Sequence, residues 1–286
     1  MPNFGINKLN LDRICLIKFK GLKMIKILSI AGSDCSGGAG IQADIKTITA
    51  HKMYAMSVIT ALTAQNTTGV FGVFESSGEF VEAQIKACFD DIVPNAVKIG
   101  MVSNSQIIKS IAKMLKFYNA ENIVVDPVMV ATSGGVLMKN DAVNSLIDEL
   151  FALATIVTPN LSEAEVLSEM KIKNIDDMKK SAQKIAKLTS GAVLVKGGHL
   201  GEEAVDILYE NGEFSEFSAP KIDTKNSHGT GCTLSSAIAC GLGANLSLKE
   251  AVKNAKEFVF NALSWSEQIG HGNGPINHYF RIEKIF

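Results

Sequence analysis

The chain has 286 residues, of which 47% are hydrophobic and 20% are charged, and its formal net charge is −1. This length and composition favour one large α/β domain or two small ones and exclude a disordered chain. The balanced charge gives no indication of a nucleic-acid or membrane partner. The five cysteines form no C-x-x-C pair, which favours a reduced, cytoplasmic protein over a disulfide framework or a zinc site.

Residues 1–23 differ from the rest of the chain, because charged residues interrupt each of their short apolar stretches. They lack the apolar core of a signal peptide, and no apolar run in the chain reaches the roughly 18 residues that cross a bilayer. We therefore expect residues 1–23 to be an extension outside the fold and residues 24–286 to form one domain. The alternative is that residues 1–23 form an ordered additional element.

Short aliphatic runs alternate with amphipathic segments from Met24 onwards. The runs predicted as strands are residues 25–30, 57–62, 96–99, 122–125, 155–157 and 192–195. Their nearly continuous apolar character is typical of strands that helices cover on both faces. The repeated strand–helix order predicts a mostly parallel sheet with right-handed crossovers. Residues 204–219 add a hairpin around Asn211-Gly212, with a type I′ turn.

Two amphipathic segments begin with a capping-box pattern. Ser76 lies three residues before Glu79, and Ser247 lies three residues before Glu250. Apolar residues follow each pair at roughly helical spacing, so the sequence predicts a helix that starts at each point.

Polar, glycine and acidic residues follow each predicted strand. The segments after the six strands are AGSDCSGGAG, TAQNT, GM, DPVM, TPNLSE and KGGH. In a doubly wound sheet the carboxyl ends of the strands share one edge, where ligands bind. The chain has no G-x-x-x-x-G-K-[ST] motif, and GSDCSGGAG does not match G-x-G-x-x-G, so neither a P-loop nor a dinucleotide fingerprint is present.

The segment HGTGCTLSSAIACGLG combines a glycine-rich turn with an apolar helix face formed by Leu234, Ala237, Ile238 and Leu242. This spacing places residues 229–232 at a helix N-terminus. Unpaired N–H groups and the helix dipole favour an anion there. The alternative is a plain capping turn.

Eight motifs occur in order between Ile27 and His278, and together they are highly specific. They are AGSDCSGGAGIQADIKT, ITALTAQNT, KIGM, DPVM, TPNLSEAE, VKGGH, HGTGCT and GPINH. The chain thereby resembles the ribokinase-like family, and within it the hydroxymethylpyrimidine and hydroxymethylpyrimidine-phosphate kinases of thiamine biosynthesis. The resemblance implies a three-layer α/β/α fold with a mostly parallel central sheet. It also implies ATP with Mg²⁺, phosphoryl transfer to a hydroxymethylpyrimidine and then to its monophosphate, and a homodimer.

The resemblance assigns five residues to the substrate ring. Gln65 takes the position of the pyrimidine-reading amide, whose carbonyl oxygen and NH₂ group can pair with an aminopyrimidine edge. Met101 and Val128 correspond to residues that sandwich the ring, and Gly32 and Ala39 to backbone or small contacts beside it. Without the resemblance, Met101 and Val128 would be predicted as core residues.

Four residues are assigned to ATP and its metal ion. The resemblance places Lys196, Asn160 and Asp126 at ATP, and Asp126 and Glu163 at Mg²⁺. Carboxylates are suited to Mg²⁺ or to its bound waters, and phosphoryl transfer depends mainly on positioning and neutralisation of charge. The alternatives are a solvated glutamate in the first turn of a helix and a solvated lysine at the end of a strand.

Cys232 occupies the position at which sugar kinases of this fold carry an aspartate that takes the proton from the attacking hydroxyl. A helix N-terminus lowers the pKa of a thiol, so we predict that Cys232 is the general base, although the adjacent triphosphate opposes its ionisation. The backbone amides of Gly229, Thr230, Gly231 and Cys232 are predicted to stabilise the charge that develops on the transferred group. The alternative is a buried structural cysteine.

Four other polar residues near these motifs have no assigned chemistry. Asp34 has no predicted role. Asp44 is predicted to order the glycine loop or to lie near the substrate, and the alternative is a solvated residue on a helix surface. His199 and His228 are predicted to be structural rather than catalytic.

Two rival functions are a pyridoxal or pyridoxine kinase of the same fold and a non-catalytic pyrimidine-binding or regulatory protein. Gln65 and Met101 favour a pyrimidine over pyridoxal. The presence of Asp126, Glu163 and Lys196 argues against a protein that only binds, because binding alone does not need them.

Overall fold

The computed structural model describes residues 23–129, 138, 140–198 and 203–282. The prediction for residues 1–23 concerns residues that lie almost entirely outside these ranges. The prediction for His199 also lies outside them. The strands are β1 (Lys26–Asp34), β2 (Tyr54–Asn66), β3 (Gly69–Glu75), β4 (Ala96–Ile99), β5 (Ile123–Val125), β6 (Ile156–Val157), β7 (Ala192–Gly197), β8 (Glu203–Glu210) and β9 (Glu213–Pro220). The α-helices are α1 (Gly40–Ala50), α2 (Gly78–Asp91), α3 (Ser105–Phe117), α4 (Asn140–Ser145), α5 (Leu161–Ser168), α6 (Ile175–Ile185), α7 (Thr230–Gly243) and α8 (Leu248–Ser264). A π-helical turn (Leu146–Leu150) and a 3₁₀ turn (Phe151–Leu153) follow α4.

The strands form one sheet in the order β3-β2-β1-β4-β5-β6-β7-β8-β9. The neighbouring pairs from β2 to β7 are parallel, and the pairs that involve β3, β8 or β9 are antiparallel. The chain passes from β1 to β2 on one side and later returns to place β4 on the other side of β1. The strand order therefore reverses between β1 and β4, the point where sheets of this kind bind ligands.

Alternate residues of the buried strands face two separate hydrophobic clusters. Leu28 and Ile30 of β1 pack with residues of α2, α3, α5 and α6, whereas Ile27 packs with residues of α1, α7 and α8. Helices therefore cover both faces of a mostly parallel sheet, and the predicted three-layer α/β/α fold is confirmed. No helix in the described ranges is long and apolar enough to cross a membrane.

All six predicted strands are present, but β2 and its partner differ from the prediction. β2 continues to Asn66 and pairs antiparallel with β3, which was not predicted. β3 has no regular apolar alternation, so its position follows from its pairing with β2 and not from its own pattern. The predicted hairpin is confirmed, because Asn211 (φ 51°) and Gly212 (φ 87°) give the type I′ turn between β8 and β9.

The two predicted capping boxes have different outcomes. In α8 the box is confirmed, because the side chains of Ser247 and Glu250 each accept a hydrogen bond from the other's backbone amide. The prediction for α2 is wrong by one residue, since Ser77 is the N-cap. The Ser76 hydroxyl instead donates to the Ile59 carbonyl of β2 (2.9 Å), which removes it from the helix.

Candidate active site

A cavity of about 780 Å³ lies at the carboxyl ends of the parallel strands. Every residue that the sequence assigned to a site lines it. These residues are Gly32, Ala39, Gln65, Met101, Asp126, Val128, Asn160, Glu163, Lys196, Gly229, Thr230, Gly231 and Cys232. The fold therefore brings the assigned residues together, while the role of each one stays a prediction.

Two of the residues assigned to the substrate ring, Gly32 and Met101, lie in close contact. A Cβ atom at Gly32 would lie 2.8 Å from Met101 Sδ, so a side chain at position 32 would displace Met101. Gln65 lies near the end of β2, and its side-chain amide is 3.2 Å from Thr63 Oγ1 and 3.3 Å from His228 Nε2. Apolar walls with a few fixed polar groups suit a flat ring that has a polar edge.

Asp34 orders the glycine-rich loop between β1 and α1, a role that the sequence did not reveal. Its Oδ1 accepts hydrogen bonds from the Ser36 amide (2.9 Å) and hydroxyl (2.8 Å). Its Oδ2 accepts from the amides of Gly38 (3.1 Å) and Ala39 (2.9 Å) and from His228 Nε2 (2.9 Å). Burial raises the pKa of Asp34, but the hydrogen bonds from His228 and Ser36 outweigh it and lower the pKa to about 2.

Helix α7 begins at Thr230 and has Gly229 as its N-cap, with no side chain that caps it. Gly229 has a φ of +84°, and a Cβ atom there would collide with the carbonyl oxygen of Gly38, so glycine is required for both conformation and space. The Thr230 amide donates a hydrogen bond to the carbonyl oxygen of Ser227 in the preceding loop (3.3 Å). The amides of Gly231 and Cys232 have no intrahelical acceptor and border the cavity, as expected for an anion-binding helix start.

Asp126 and Lys196 form an ion pair beside this helix start. Lys196 Nζ donates to Asp126 Oδ1 (2.7 Å), and the Thr158 and Ser235 hydroxyls donate to the two carboxylate oxygens (3.2 and 3.3 Å). A Cβ atom at Gly231 would lie 3.4 Å from Lys196 Nζ and 3.6 Å from Asp126 Oδ2. Only 13% of the Lys196 side chain is exposed, so the alternative of a solvated lysine is wrong.

Asn160 and Glu163 form a capping box at the start of α5, which the sequence analysis missed. Asn160 Oδ1 accepts from the Glu163 amide (3.0 Å), and Glu163 Oε2 accepts from the Asn160 amide (2.8 Å). Glu163 is 4% exposed, so the alternative of a solvated glutamate is wrong. Burial raises the pKa of Glu163 to about 7, with Lys196 opposing the shift and the carboxylate of Asp126 adding to it.

Cys232 does not have the lowered pKa that its position at a helix N-terminus predicts. Burial raises the pKa of this thiol to about 11; Lys98 opposes the shift, and the carboxylates of Asp44 and Asp126 add to it. The loss of water around the sulfur also outweighs a hydrogen bond from the Gly40 amide, which lowers the pKa. At neutral pH Cys232 is therefore mainly a thiol.

The cavity extends into a second region that the sequence analysis did not identify. A buried ion pair between Lys256 Nζ and Asp206 Oδ2 (2.7 Å) lies there. The apolar lining of this second region consists of Ala204, Ala219, Pro220, Ile222, Val259, Phe260 and Leu263. In the sequence, Val259 and Leu263 form part of the apolar face of a helix, and no local motif marks them as site residues.

Comparison with known proteins identifies the family. A family model described as phosphomethylpyrimidine kinase matches residues 34–277. The chain belongs to the phosphomethylpyrimidine kinase family. A hydroxymethylpyrimidine/phosphomethylpyrimidine kinase of Rhizobium meliloti (strain 1021) is 50% identical over 258 residues, which cover 89% of this chain and 97% of that protein. The family resemblance inferred from the eight motifs is confirmed.

Solved structures of kinases share the fold of this phosphomethylpyrimidine kinase family member. A phosphomethylpyrimidine kinase from Clostridium difficile 630 is 49% identical with a TM-score of 0.74, covering 83% of this chain and 99% of that chain. A Staphylococcus aureus pyridoxal kinase in complex with AMP-PCP and pyridoxal is 35% identical with a TM-score of 0.84, covering 92% and 97%. The predicted ribokinase-like fold and the assignment to a kinase family are both confirmed.

Beneath the cavity of this family member lies a fully buried ion pair between β4 and α1. Lys98 Nζ donates to Asp44 Oδ1 (3.0 Å) and Oδ2 (2.9 Å), and both side chains are 0% exposed. The hydroxyls of Ser29 and Ser236 also donate to the carboxylate of Asp44 (2.5 and 2.8 Å). The alternative that Asp44 is solvated on a helix surface is therefore wrong, and the glycine loop is ordered by Asp34 instead. The Asp44 carboxylate is fully hydrogen-bonded, which a buried charge requires.

Proposed function

We propose that this protein transfers the γ-phosphoryl group of ATP to the hydroxyl of 4-amino-5-hydroxymethyl-2-methylpyrimidine and then to the resulting monophosphate. The observation that carries the proposal is the single cavity of about 780 Å³ that Gln65, the start of α7 and the Lys196–Asp126 pair share. Phosphoryl transfer depends mainly on positioning and on neutralisation of charge, and one cavity can hold both reactants. Family membership supports the reaction, and the AMP-PCP complex of the Staphylococcus aureus enzyme supports ATP as the donor.

In this proposal the two regions of the cavity hold the two substrates. The pyrimidine ring lies between Met101 and Val128, with Gln65 at its polar edge and Gly32 and Ala39 beside it. A ring in this place receives apolar contacts on its faces and hydrogen bonds at its edge.

The nucleotide then occupies the region lined by Val259, Phe260 and Leu263, with Lys196 and Asn160 at its phosphates. A lysine beside an anion-binding helix start supplies the positive charge that phosphates require.

The proposed reaction exchanges one P–O bond for another. The oxygen of the acceptor hydroxyl bonds to the γ-phosphorus, the bond from that phosphorus to the bridging oxygen breaks, and ADP leaves with the electron pair. The hydroxyl proton passes to the thiolate form of Cys232. The backbone amides at the start of α7 and the Lys196 ammonium stabilise the charge on the transferred group.

The residues present fit Mg²⁺ as part of the proposed site. Asp126 and Glu163 are two buried carboxylates that line the cavity, and the charge of Asp126 contributes to the raised pKa of Glu163. A divalent cation would relieve that repulsion, and Mg²⁺ commonly uses one or two carboxylates together with waters and phosphate oxygens. Bound there, Mg²⁺ would neutralise charge on the ATP phosphates.

Replacing Glu163 with Gln should raise the Mg²⁺ concentration needed for half-maximal activity by roughly 10–100-fold. Gln can keep the hydrogen bonds of the capping box, so the change removes the charge and leaves the helix start in place. The matched control is Glu250→Gln, at the same capping position of α8, which should leave the Mg²⁺ titration unchanged. Equal titrations for both variants would show that Glu163 acts only as a helix cap.

An ADP-release assay over three acceptors tests the proposed function. The purified protein receives ATP and Mg²⁺ with the hydroxymethylpyrimidine, its monophosphate or pyridoxal. We expect ADP release with both pyrimidines and a lower kcat/KM for pyridoxal. A higher kcat/KM for pyridoxal would make the protein a pyridoxal kinase, and no release with any acceptor would make it a binding protein.

We also propose a homodimer that forms through the edge of the sheet at β3. Within the described residues β3 pairs only with β2, and it exposes Phe71, Val73 and Phe74, beside Leu62 of β2. An exposed apolar edge strand is a surface that a second chain can cover.

Phe74→Asp should reduce the native mass to that of a monomer, measured by light scattering. Phe117→Asp, at an equally exposed phenylalanine on α3, should leave the mass unchanged. A monomeric wild type, or no effect of Phe74→Asp, would contradict this proposal.

We propose further that residues 24–286 form a single cytoplasmic kinase domain and that residues 1–23 lie outside it. The family match from 34 to 277 and the start of β1 at Lys26 support this boundary, and the free thiols of Cys35, Cys88, Cys232 and Cys240 suit a reducing compartment. Removal of residues 1–23 should leave kcat and the melting temperature nearly unchanged. A large loss of kcat or of melting temperature would place residues 1–23 within the fold. Cell fractionation tests whether the protein is cytoplasmic.

A further inference from the structure

His228 lies where three parts of the site meet. It directly precedes Gly229, it is 6% exposed, and its Nε2 atom is 2.9 Å from Asp34 Oδ2 and 3.3 Å from the side-chain amide of Gln65. A Cβ atom at Gly38 would collide with the imidazole ring, so the ring is held closely against the glycine-rich loop. His228 therefore has little freedom to turn away from either partner.

The hydrogen bonds around Asp34 decide which atom of His228 carries a proton. Four donors from Ser36, Gly38 and Ala39 converge on the Asp34 carboxylate, in addition to His228. A carboxylate that receives this many donors is ionised and can only accept. His228 Nε2 must therefore carry a hydrogen and point it at Asp34 Oδ2.

This proton also decides how the amide of Gln65 is oriented. In the structure Gln65 Nε2 lies 3.3 Å from His228 Nε2, and Gln65 Oε1 lies 3.2 Å from Thr63 Oγ1. The NH₂ group and His228 Nε2–H are both donors, so the hydrogen bonding favours the amide rotated by 180°, with its carbonyl oxygen on the His228 side. The Thr63 hydroxyl has two acceptors within reach, the Ser33 carbonyl (3.0 Å) and Gln65 Oε1 (3.2 Å), and its single proton can serve the nearer one, Ser33. With its proton on Ser33, the Thr63 oxygen accepts a hydrogen bond from the NH₂ group of the rotated Gln65 amide. Both neighbours demand the same orientation, and the oxygen and nitrogen of an amide are distinguished only by such partners.

We propose that Asp34 and His228 are positioning residues that fix the orientation of the Gln65 amide and thereby select the substrate ring. The inference rests on the proposed function, since it assumes that Gln65 reads the ring. With the amide fixed, the cavity offers a carbonyl oxygen and an N–H group in one order only. A ring whose edge presents an amino group next to a ring nitrogen matches that order, whereas a free amide could rotate to serve other edges.

Two substitutions of His228 test this inference by calorimetric titration of the protein with the hydroxymethylpyrimidine and with ATP. His228→Leu fills similar space without a donor and should raise the Kd for the pyrimidine by roughly 10–100-fold. His228→Gln keeps an N–H donor near the position of Nε2 and should restore most of the affinity. The Kd for ATP should stay within about threefold in both variants, which separates ring selection from damage to the helix start.

Steady-state kinetics provide a second test. If His228 had only a structural role, its replacement would not change the preference between the two substrates. In His228→Leu we expect the KM for the pyrimidine to rise more than kcat falls, and the preference for the pyrimidine over pyridoxal to drop by about tenfold or more. Unchanged pyrimidine affinity and unchanged preference in His228→Leu would overturn the inference.

Nitrogen-15 NMR of the histidine side chains tests the same inference without any variant of uncertain stability. The wild-type spectrum should show a proton on Nε2 of His228, assigned by its absence in His228→Gln. An Nδ1-protonated neutral ring would overturn the proposed orientation of Gln65. If the wild type binds no pyrimidine but its His228 carries the Nε2 proton, the proposed function fails while the positioning geometry stands.

Discussion

Replacing Cys232 with Ala is expected to lower kcat for phosphorylation of the hydroxymethylpyrimidine by about 10²–10⁴-fold. The acceptor in this reaction is an alcohol, which must lose its proton as the new P–O bond forms. Cys232 borders the cavity beside the amides at the start of α7, where in the proposed mechanism it takes that proton. The Kd for ATP should change little, because the backbone amides and Lys196 remain.

The second phosphorylation is a control within the same enzyme. Its acceptor is an oxygen of a phosphate monoester, whose second pKa is near 6, so most acceptor molecules carry no proton there at neutral pH. Cys232→Ala should therefore slow the monophosphate reaction far less than the alcohol reaction. Equal losses for both acceptors would show that the thiol acts by packing and not as a base. Wild-type rates for both would show that the amides and Lys196 suffice.

The pH dependence of the same variants tests the protonation state of Cys232. Because burial raises the pKa of the thiol to about 11, the thiolate is a minor form at neutral pH and increases as the pH rises. The rate of the alcohol reaction should therefore rise with pH through the neutral range. Cys232→Asp replaces the thiol with a carboxylate, whose usual pKa near 3.9 is far below that of a thiol, so the rise in rate should move to lower pH even where burial raises the pKa of the carboxyl. A flat profile in the wild type would contradict the role as base.

Replacing Lys98 with Met is expected to lower the free energy of unfolding by about 3–5 kcal/mol. The change leaves the Asp44 carboxylate as an uncompensated charge in a site that is 0% exposed. Burial alone disfavours the charged form of Lys98, but the carboxylate of Asp44 outweighs it and holds the pKa of the ammonium above its usual value. Urea denaturation gives the free energy directly.

Two further variants show whether the loss comes from the unpaired charge. The double variant Lys98→Met with Asp44→Asn removes both charges and keeps a polar group for Ser29 and Ser236, so it should recover more than half of the loss. Lys113→Met breaks an exposed pair with Glu82 and should change stability little. A double variant as unstable as Lys98→Met would mean that packing, not charge, accounts for the effect.

The sequence predicted the parts of the fold that local patterns determine. Continuous apolar runs marked the six strands, and the glycine turn before Leu234 marked the start of α7 because both signals lie within a few neighbouring residues. β3 was missed because its exposed phenylalanines follow no alternation and its place depends on β2. The α2 cap was wrong by one residue because two adjacent serines carry the same local signal.

The parts of the site that depend on distant residues could not be predicted from the sequence. Lys98 and Asp44 are 54 positions apart, and neither shows a local sign of its partner. The pKa of Cys232 depends on burial, which becomes known only once the helices are packed. The contact of His228 with Gln65 spans 163 positions and likewise follows from the fold alone.

The loop that contains Gly38 contacts the turn that contains Gly229, and this contact constrains how the enzyme can evolve. A side chain at Gly229 would strike the backbone of Gly38, and a side chain at Gly38 would strike the imidazole of His228. Neither glycine can change alone, because each added side chain would collide with the other loop. A lineage that acquires a new acceptor is therefore expected to alter other side chains that line the cavity, such as Met101 or Val128, while these two loops are inherited as a unit.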